Sequence, residues 1–169
     1  GEGSTRPSGG NHAEIEALNQ VSDAANSCVY VTLEPCSHQG KTGPCALALI
    51  EARVARVVIA CEDPNPVVAG SGIKLLQEAG IEVECGLLED QAREVNKGFF
   101  KRHEHGLPWV LVKMAASMDG RTAMASGQSQ WVTTPASRQD VQRLRAASCA
   151  IITGIGTQLM DDPSLTVRI

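Results

Sequence analysis

Short apolar runs rich in β-branched residues alternate with amphipathic segments along the first half of the chain, and this alternation constrains the fold most. Compact runs of this kind are typical of buried strands, and apolar residues at helical spacing indicate helices between them. The predicted strands cover 27–33, 56–61 and 81–85, and the predicted helices cover 12–21, 45–53 and 72–79. Strands that alternate with helices favour a mostly parallel sheet with helices on its faces, so we expect an α/β fold.

The second half of the chain predicts a linker and a second, smaller unit. A charged helical segment over 88–105 is expected to join two domains and to pack Val95, Phe99 and Phe100 inward. After it, strands are predicted over 109–115 and 149–153, and a helix over 137–147. This unit has only about sixty residues, fewer than most independent domains. We expect residues 1–87 to form one domain, 88–107 a linker helix, and 108–169 an incomplete second domain.

Composition excludes several classes of partner. The chain of 169 residues has a net charge of −4, whereas general nucleic-acid binders usually show a strongly basic face. Aromatic residues make up 3%, which argues against base-stacking platforms. No run of about 18 apolar residues is present, so no membrane partner is expected. With no signal-peptide pattern in the sequence, we expect a cytoplasmic protein, and self-association is left open.

The six cysteines fall into two groups. Unpaired cysteine is often a small buried hydrophobic residue, and we expect core or strand positions for Cys28, Cys61, Cys85 and Cys149. The other two, Cys36 and Cys45, each follow a proline inside a turn-rich segment. They are therefore candidates for chemistry.

One histidine and these two cysteines form a set of metal ligands. His12, Cys36 and Cys45 offer one imidazole and two thiolates, which would hold zinc and leave a fourth tetrahedral position open, as in catalytic zinc sites. Asn11 is the expected N-cap of the first helix, so that Glu14 lies in its first turn near the metal without binding it. Such a zinc would activate water, and Glu14 would move its proton.

Simpler interpretations exist for each of these residues alone. Asn11 and Glu14 have the spacing of a capping box, in which the glutamate bonds back to the N-cap amide. His12 alone is typical of a surface histidine, and single cysteines are usually inert. Their joint position at element boundaries, on one expected edge of the sheet, favours a functional site.

The motif H-A-E followed by P-C and a second P-C resembles the zinc-dependent cytidine-deaminase superfamily, whose signature is H-x-E with P-C-x-x-C. This chain differs, because eight residues rather than two separate the cysteines. Longer strings closely resemble the bifunctional riboflavin-biosynthesis deaminase/reductase family. They are T-L-E-P-C-S-H-Q-G-K-T-G-P-C (32–45), D-P-N-P (63–66), N-K-G-F-F-K-R (96–102), S-M-D-G-R-T-A (117–123), S-Q-W-V-T (129–133) and G-T-Q-L-M-D-D-P-S-L-T-V-R (156–168).

The resemblance implies a fold and a function for both halves. It implies a three-layer cytidine-deaminase-like domain with a mostly parallel sheet, followed by an incomplete dihydrofolate-reductase-like α/β domain. The first would hydrolytically deaminate 2,5-diamino-6-ribosylamino-4(3H)-pyrimidinone 5′-phosphate, a small phosphorylated pyrimidine, to 5-amino-6-(5-phosphoribosylamino)uracil. The reductase of the full-length parent would then reduce the ribosyl group with NADPH, and the second unit here resembles only the start of that domain. We therefore expect no reduction by this chain alone.

The resemblance also implies site residues. Zn²⁺ would be held by His12, Cys36 and Cys45, and Glu14 would transfer protons. Positions implied for the deaminase substrate are His38, Lys41, Asp63 and Asn65. Positions implied for the reductase substrate are Ser129, Arg145, Leu165 and Arg168, and those implied for NADPH are Ala115, Trp131, Thr157 and Asp161. Arginine suits phosphate because its guanidinium binds it in bidentate fashion.

Two departures from the family pattern and two alternative functions accompany this hypothesis. Thr5 stands where the family often has histidine, and the first helix and strand of the family's deaminase would precede Gly1. A nucleic-acid deaminase of the tRNA adenosine type would share the zinc chemistry, but it should show short cysteine spacing and a basic surface. A non-enzymatic zinc module would not need Glu14.

Overall fold

The computed structural model describes residues 1–168. Two compact units are present, Gly1–Val110 and a second that begins at Leu111. The helices are α1 Ala13–Leu18, α2 Cys45–Glu51, α3 Ser71–Glu78, α4 Glu89–Val95, α5 Lys97–His105, α6 Pro135–Ala146 and α7 Ile155–Asp161. The strands are β1 Cys28–Val31, β2 Arg56–Ile59 and β3 Glu82–Cys85. Within the described residues, no helix has the length and apolar character needed to cross a bilayer.

The first unit contains a parallel sheet, which confirms the predicted α/β class. The strand order is β1-β2-β3, with Val31 aligned to Ile59 and Ile59 to Cys85. In the central strand, Val57, Val58 and Ile59 are all buried, as expected where both faces of a parallel strand are covered. The three strands therefore end at one edge, close to the loops that carry the candidate site.

An apolar cluster attaches α2 and α3 to the sheet. Leu49 of α2 and Leu76 of α3 are fully buried against Val57 and Ile59 of β2. Complete burial of one such side chain contributes about 1.5–3 kcal/mol. This packing fixes the first residue of α2 and the first turn of α3 relative to the sheet.

The predicted linker helix is two helices. Asn96 separates α4 from α5 with a backbone φ of −109°, outside the helical range. Phe100 is buried and Phe99 packs beside it, as predicted, whereas Val95 is 79% exposed, so its predicted inward packing is wrong. Val95 is the last residue of α4, where the chain leaves the helix before the aromatic cluster begins.

The prediction of core or strand positions is confirmed for Cys28 and Cys85, which lie on β1 and β3, and for the buried Cys61, but it is wrong for Cys149. Cys28, Cys85 and Cys149 are exposed. Side chains of β1 alternate between exposed and half-buried, and Cys28 shares the exposed positions with Tyr30. Cys85 is the last residue of its strand, and Cys149 follows α6 in the second unit. Position within the element thus outweighs the general burial habit of cysteine.

The second unit contains α6 and α7. Thr134 caps α6 by accepting the Ser137 N–H at 3.2 Å, and Pro135 is the first helical residue. The strands predicted over 109–115 and 149–153 are wrong, because the described residues contain no strand after β3. A strand requires a hydrogen-bonded neighbour, and these segments have none within the described residues.

Candidate metal centre

His12 lies at the start of α1. It occupies the N-cap position with extended backbone angles, φ −77° and ψ 164°. The expectation that Asn11 is the N-cap is therefore wrong, and no capping box with Glu14 forms. The Asn11 amide instead donates to Glu16 Oε1 at 2.8 Å, one turn further into the helix. The imidazole is thus placed at the boundary of the helix.

The two cysteines approach His12 from one loop and one helix. Cys36 lies in the loop that follows β1, and Cys45 is the fully buried first residue of α2. The Cys45 N–H donates to Cys36 Sγ at 3.2 Å, and the Ala46 N–H donates to the Cys36 carbonyl at 3.1 Å. Free N–H groups at the start of α2 therefore hold the Cys36 loop in place.

These three side chains converge as a metal-ligand set. His12 Nδ1 lies 3.6 Å from Cys36 Sγ and 3.3 Å from Cys45 Sγ, and all three donor atoms lie within 4.8 Å of one another. With Zn–S of about 2.3 Å and Zn–N of about 2.0 Å, a tetrahedral ion separates nitrogen from sulfur by about 3.5 Å. The donor spacing and the two soft sulfurs fit zinc.

The two thiols have different environments, which shift their pKa values in opposite directions. The Cys45 thiol, the Cys45 N–H and His12 stabilise the Cys36 thiolate and lower its pKa to about 5 against the cost of burial. The shared hydrogen bond with Cys36, burial and the nearby Glu14 carboxylate raise the pKa of Cys45 far above its usual range. Metal binding deprotonates both thiols, because a coordinating sulfur is a thiolate.

Glu14 stands beside the ligands but is not among them. Burial raises the pKa of this half-buried carboxyl, the neighbouring Cys36 thiolate raises it further, and Cys45 and His12 act in the opposite direction. A carboxyl with a raised pKa is suited to accept and return a proton near neutral pH. The position and the raised pKa of Glu14 suit the acid–base role predicted from the sequence.

Thr42 is a site residue that the sequence analysis did not identify. Its hydroxyl lies 3.5 Å from His12 Nε2, whereas the two sulfurs contact the other ring nitrogen, Nδ1. A partner at Nε2 favours the tautomer in which Nδ1 is free to bind a metal. The sequence feature that points to Thr42 is its position in the eight-residue insert between Cys36 and Cys45.

A cavity of about 470 Å³ opens beside the ligands. His38 and Lys41 line it, as does Thr5, and the Lys41 ammonium donates to Ser8 Oγ at 2.9 Å. Arg6 also lines the cavity, although its guanidinium pairs with Glu16 at 2.7 Å. Three basic side chains at one opening suit an anionic ligand.

Asp63 and Asn65 form a turn and do not line this cavity within the described chain. Asp63 Oδ1 accepts the Asn65 N–H at 2.8 Å, and Asn65 Oδ1 accepts the Val67 N–H at 3.1 Å. Burial raises the pKa of the Asp63 carboxyl, the Asn65 N–H acts in the opposite direction, and the nearby Glu34 carboxylate raises it further. Both side chains are therefore used within the turn itself.

The predicted reductase residues are only partly brought together. Ser129 and Trp131 line a second cavity of about 650 Å³, and Arg138 stacks over the Trp131 ring at 4.5 Å. The other predicted positions of this unit, which do not line that cavity in the described part, are Ala115, Arg145, Thr157, Asp161, Leu165 and Arg168.

Two of these arginines hold the end of the described chain. The Arg145 guanidinium donates to the carbonyls of Ser164 and Thr166 at 2.9 and 3.1 Å. Arg168 donates to the Ser164 carbonyl at 3.2 Å. In this arrangement both guanidinium groups are used by backbone oxygens.

Comparison with protein families matches both units. Residues 2–61 match the cytidine and deoxycytidylate deaminase zinc-binding region, and residues 108–169 match the RibD C-terminal domain. The riboflavin biosynthesis protein RibD of Escherichia coli is 56% identical over 169 residues, covering 99% of this chain and 46% of that protein. RibD of Mycobacterium tuberculosis is 48% identical over 171 residues, with 50% of that protein covered. The chain thus spans about half the length of these relatives.

Solved structures of RibD proteins also resemble this chain over almost its whole length. RibD of Acinetobacter baumannii aligns with a TM-score of 0.91 and 55% identity, over 96% of this chain and 46% of that one. A diaminohydroxyphosphoribosylaminopyrimidine deaminase/5-amino-6-(5-phosphoribosylamino)uracil reductase of Thermotoga maritima aligns with a TM-score of 0.87 and 38% identity, over 95% and 47%.

Proposed function

Because this chain belongs to the family of the riboflavin biosynthesis protein RibD, we propose that its first unit is a zinc-dependent pyrimidine deaminase. The substrate would be 2,5-diamino-6-ribosylamino-4(3H)-pyrimidinone 5′-phosphate, and the product 5-amino-6-(5-phosphoribosylamino)uracil. The reaction replaces a ring amino group by oxygen: water adds to the amino-bearing carbon, the C–N bond breaks and ammonia leaves. Residues 1–87 would form the deaminase domain and 88–107 a linker.

The observation that carries this proposal is the convergence of His12 Nδ1 with the sulfurs of Cys36 and Cys45. Two thiolates and one imidazole leave the fourth tetrahedral position for a non-protein ligand, as in catalytic zinc sites. Zinc bound there would supply Lewis-acid activation of the attacking water. No fourth protein ligand joins this group among residues 1–168.

Glu14 would carry the protons of the reaction. Its carboxylate would accept a proton as water attacks the ring and deliver it to a ring nitrogen. It would then take the proton of the added hydroxyl and pass it to the departing amine as the C–N bond breaks. Burial supports this role, because a raised pKa brings the carboxyl closer to the working pH.

The cavity beside the ligands would bind the phosphorylated pyrimidine. His38 and Lys41 are proposed to contact the substrate, and the basic lining supports binding of a phosphate. Asp63 and Asn65 are proposed to contact it from the turn at the same edge of the sheet. Thr5, where the family often has histidine, lines the cavity with a shorter, uncharged side chain.

Residues 108–169 would belong to an NADPH-dependent reductase. The match to the RibD C-terminal domain supports this assignment. The proposed NADPH residues are Ala115, Trp131, Thr157 and Asp161, and the proposed substrate residues are Ser129, Arg145, Leu165 and Arg168. Phosphate binding by Arg145 and Arg168 would require both to release the carbonyls that they contact here.

We propose a cytoplasmic location, which the chemistry of the ligands supports. All six cysteines are free thiols, and thiolate ligands persist where thiols are kept reduced. We place the protein in the cytoplasm for this reason. A nucleic-acid deaminase is not favoured, because the net charge is −4 and the cysteine spacing is long.

The substitution Glu14→Gln tests the deaminase and excludes a zinc module without activity. It removes the acid–base group without changing a metal ligand, so zinc content should stay at the wild-type level while ammonia release falls by about 10²–10⁴-fold. The matched control is Glu51→Gln, which changes an exposed carboxylate at the end of α2 and should retain activity. Full turnover by Glu14→Gln would show that another group moves the proton.

A further inference from the structure

Glu34 is a buried carboxylate that makes no ion pair within residues 1–168. It is 3% exposed and precedes Pro35 and Cys36. Burial of an ionised carboxylate is costly unless hydrogen bonds replace its water. A charged group in this position therefore requires a dense set of donors.

Four backbone N–H groups supply those donors. Glu34 Oε2 accepts from Asp63 at 3.1 Å and from Gly70 at 3.0 Å. Oε1 accepts from Gly72 at 2.8 Å and from Ile73 at 3.2 Å. Each oxygen is thus shared by two donors, a pattern that a carboxylate satisfies and a carboxamide does not.

These bonds join three segments of the candidate site. Asp63 begins the turn proposed to contact substrate, Gly70 to Ile73 form the start of α3, and Glu34 belongs to the loop of the metal ligand Cys36. Two further contacts support the junction. A Cβ on Gly72 would lie 2.0 Å from the Pro35 carbonyl oxygen, and Ser37 Oγ lies 2.5 Å from Ser71 Oγ.

We propose that Glu34 is a positioning residue, which fixes the Asp63–Pro66 turn relative to the Cys36 loop so that substrate and metal ligand keep one geometry. The proposal rests on the proposed deaminase function. Cys36 is held independently by the Cys45 N–H, so loss of the Glu34 carboxylate should displace the turn more than the metal ligand.

The isosteric substitution Glu34→Gln tests this role in the full chain. The amide nitrogen would face two N–H donors, and at least two of the four bonds would be lost. Because hydrogen bonds to a charged group are stronger than those to a neutral one, we expect kcat/KM for deamination to fall about 10–100-fold. Most of the change should be a rise in KM, with zinc content unchanged.

Two comparisons separate positioning from simple loss of stability. Glu62→Gln removes the exposed carboxylate directly before Asp63 and should leave KM and kcat at wild-type values. Glu34→Asp retains the charge on a shorter side chain and should recover part of the lost kcat/KM. If Glu34→Gln does not fold, the kinetics of Glu34→Asp provide the test. Unchanged kinetics per folded, zinc-loaded molecule in a Glu34 variant would overturn the proposal.

Amide hydrogen exchange provides a readout that does not depend on activity. Glu34→Gln should accelerate exchange at Asp63 and Gly70, with little change in the sheet. If the wild-type chain shows no deamination, the proposed function fails, whereas this exchange pattern still tests the junction. Unchanged exchange at both amides would overturn the positioning role.

Discussion

Hydrogen bonds to sulfur decide which of the two cysteine ligands is charged before a metal binds. Cys36 Sγ accepts hydrogen bonds from the Cys45 thiol and the Cys45 N–H, and these bonds lower the pKa of Cys36 to about 5. The hydrogen bond that Cys45 shares with Cys36, its complete burial and the nearby Glu14 carboxylate raise the pKa of Cys45. The metal-free centre thus holds one thiolate and one thiol, and metal binding must release the proton of Cys45.

This asymmetry predicts the pH dependence of alkylation in the metal-free protein. Because the pKa of Cys36 is lowered, its thiolate forms as pH rises through about 5, well below the ordinary thiol value of about 8.5. Iodoacetamide labelling of Cys36, followed by peptide mass spectrometry, should reach its plateau rate by about pH 7.

Two controls accompany this measurement. In the variant Cys36→Ser, the iodoacetamide labelling that rises from about pH 5 should be absent. Added zinc should suppress this labelling in the wild type. A labelling rate at Cys36 that still climbs steeply between pH 7 and pH 9 would contradict the assigned charge distribution.

Element boundaries explain which parts of the site the sequence predicts. His12, Cys36 and Cys45 were identifiable because each lies beside a proline or at a helix start, where local signals are strong. Glu34 and Thr42 were not, because their roles depend on groups brought close by tertiary folding. The N-cap assignment failed for a related reason, since the Asn11 amide binds Glu16 rather than the first turn.

The strands of the second unit show a different limit. Apolar β-branched runs predict extended backbone, but a ladder also needs a neighbouring strand, and residues 111–168 contain none. In the first unit the same kind of pattern succeeded, because β1, β2 and β3 pair with one another in sequence order.

Close packing at the start of α3 predicts a stability effect. Substitution of Gly72 by alanine would place a Cβ 2.0 Å from the Pro35 carbonyl oxygen, so backbone must move. We expect a loss of about 1–3 kcal/mol in the free energy of unfolding, measured by denaturant titration. Gly156→Ala is the control, because a Cβ in that helix meets no atom within 4 Å. Equal stabilities of Gly72→Ala and the wild type would contradict the described packing.

At the scale of the whole molecule, the two units differ in how much they bury. The core residues all lie in the first unit, which also carries the metal centre. In residues 111–168 no side chain is fully buried, and α6 contacts its surroundings through its cap and through the polar side chains of Arg138, Gln142 and Arg145. The proposed deaminase activity therefore depends chiefly on the first unit and its three metal ligands.

Zinc K-edge X-ray absorption of the purified 169-residue chain, together with metal analysis, tests that proposal most directly. We expect one zinc per chain with two sulfur neighbours at about 2.3 Å and nitrogen or oxygen neighbours at about 2.0 Å. In Cys45→Ser, one sulfur neighbour should disappear. Purified chain that binds no zinc when the metal is supplied, or a zinc shell without sulfur, would contradict it.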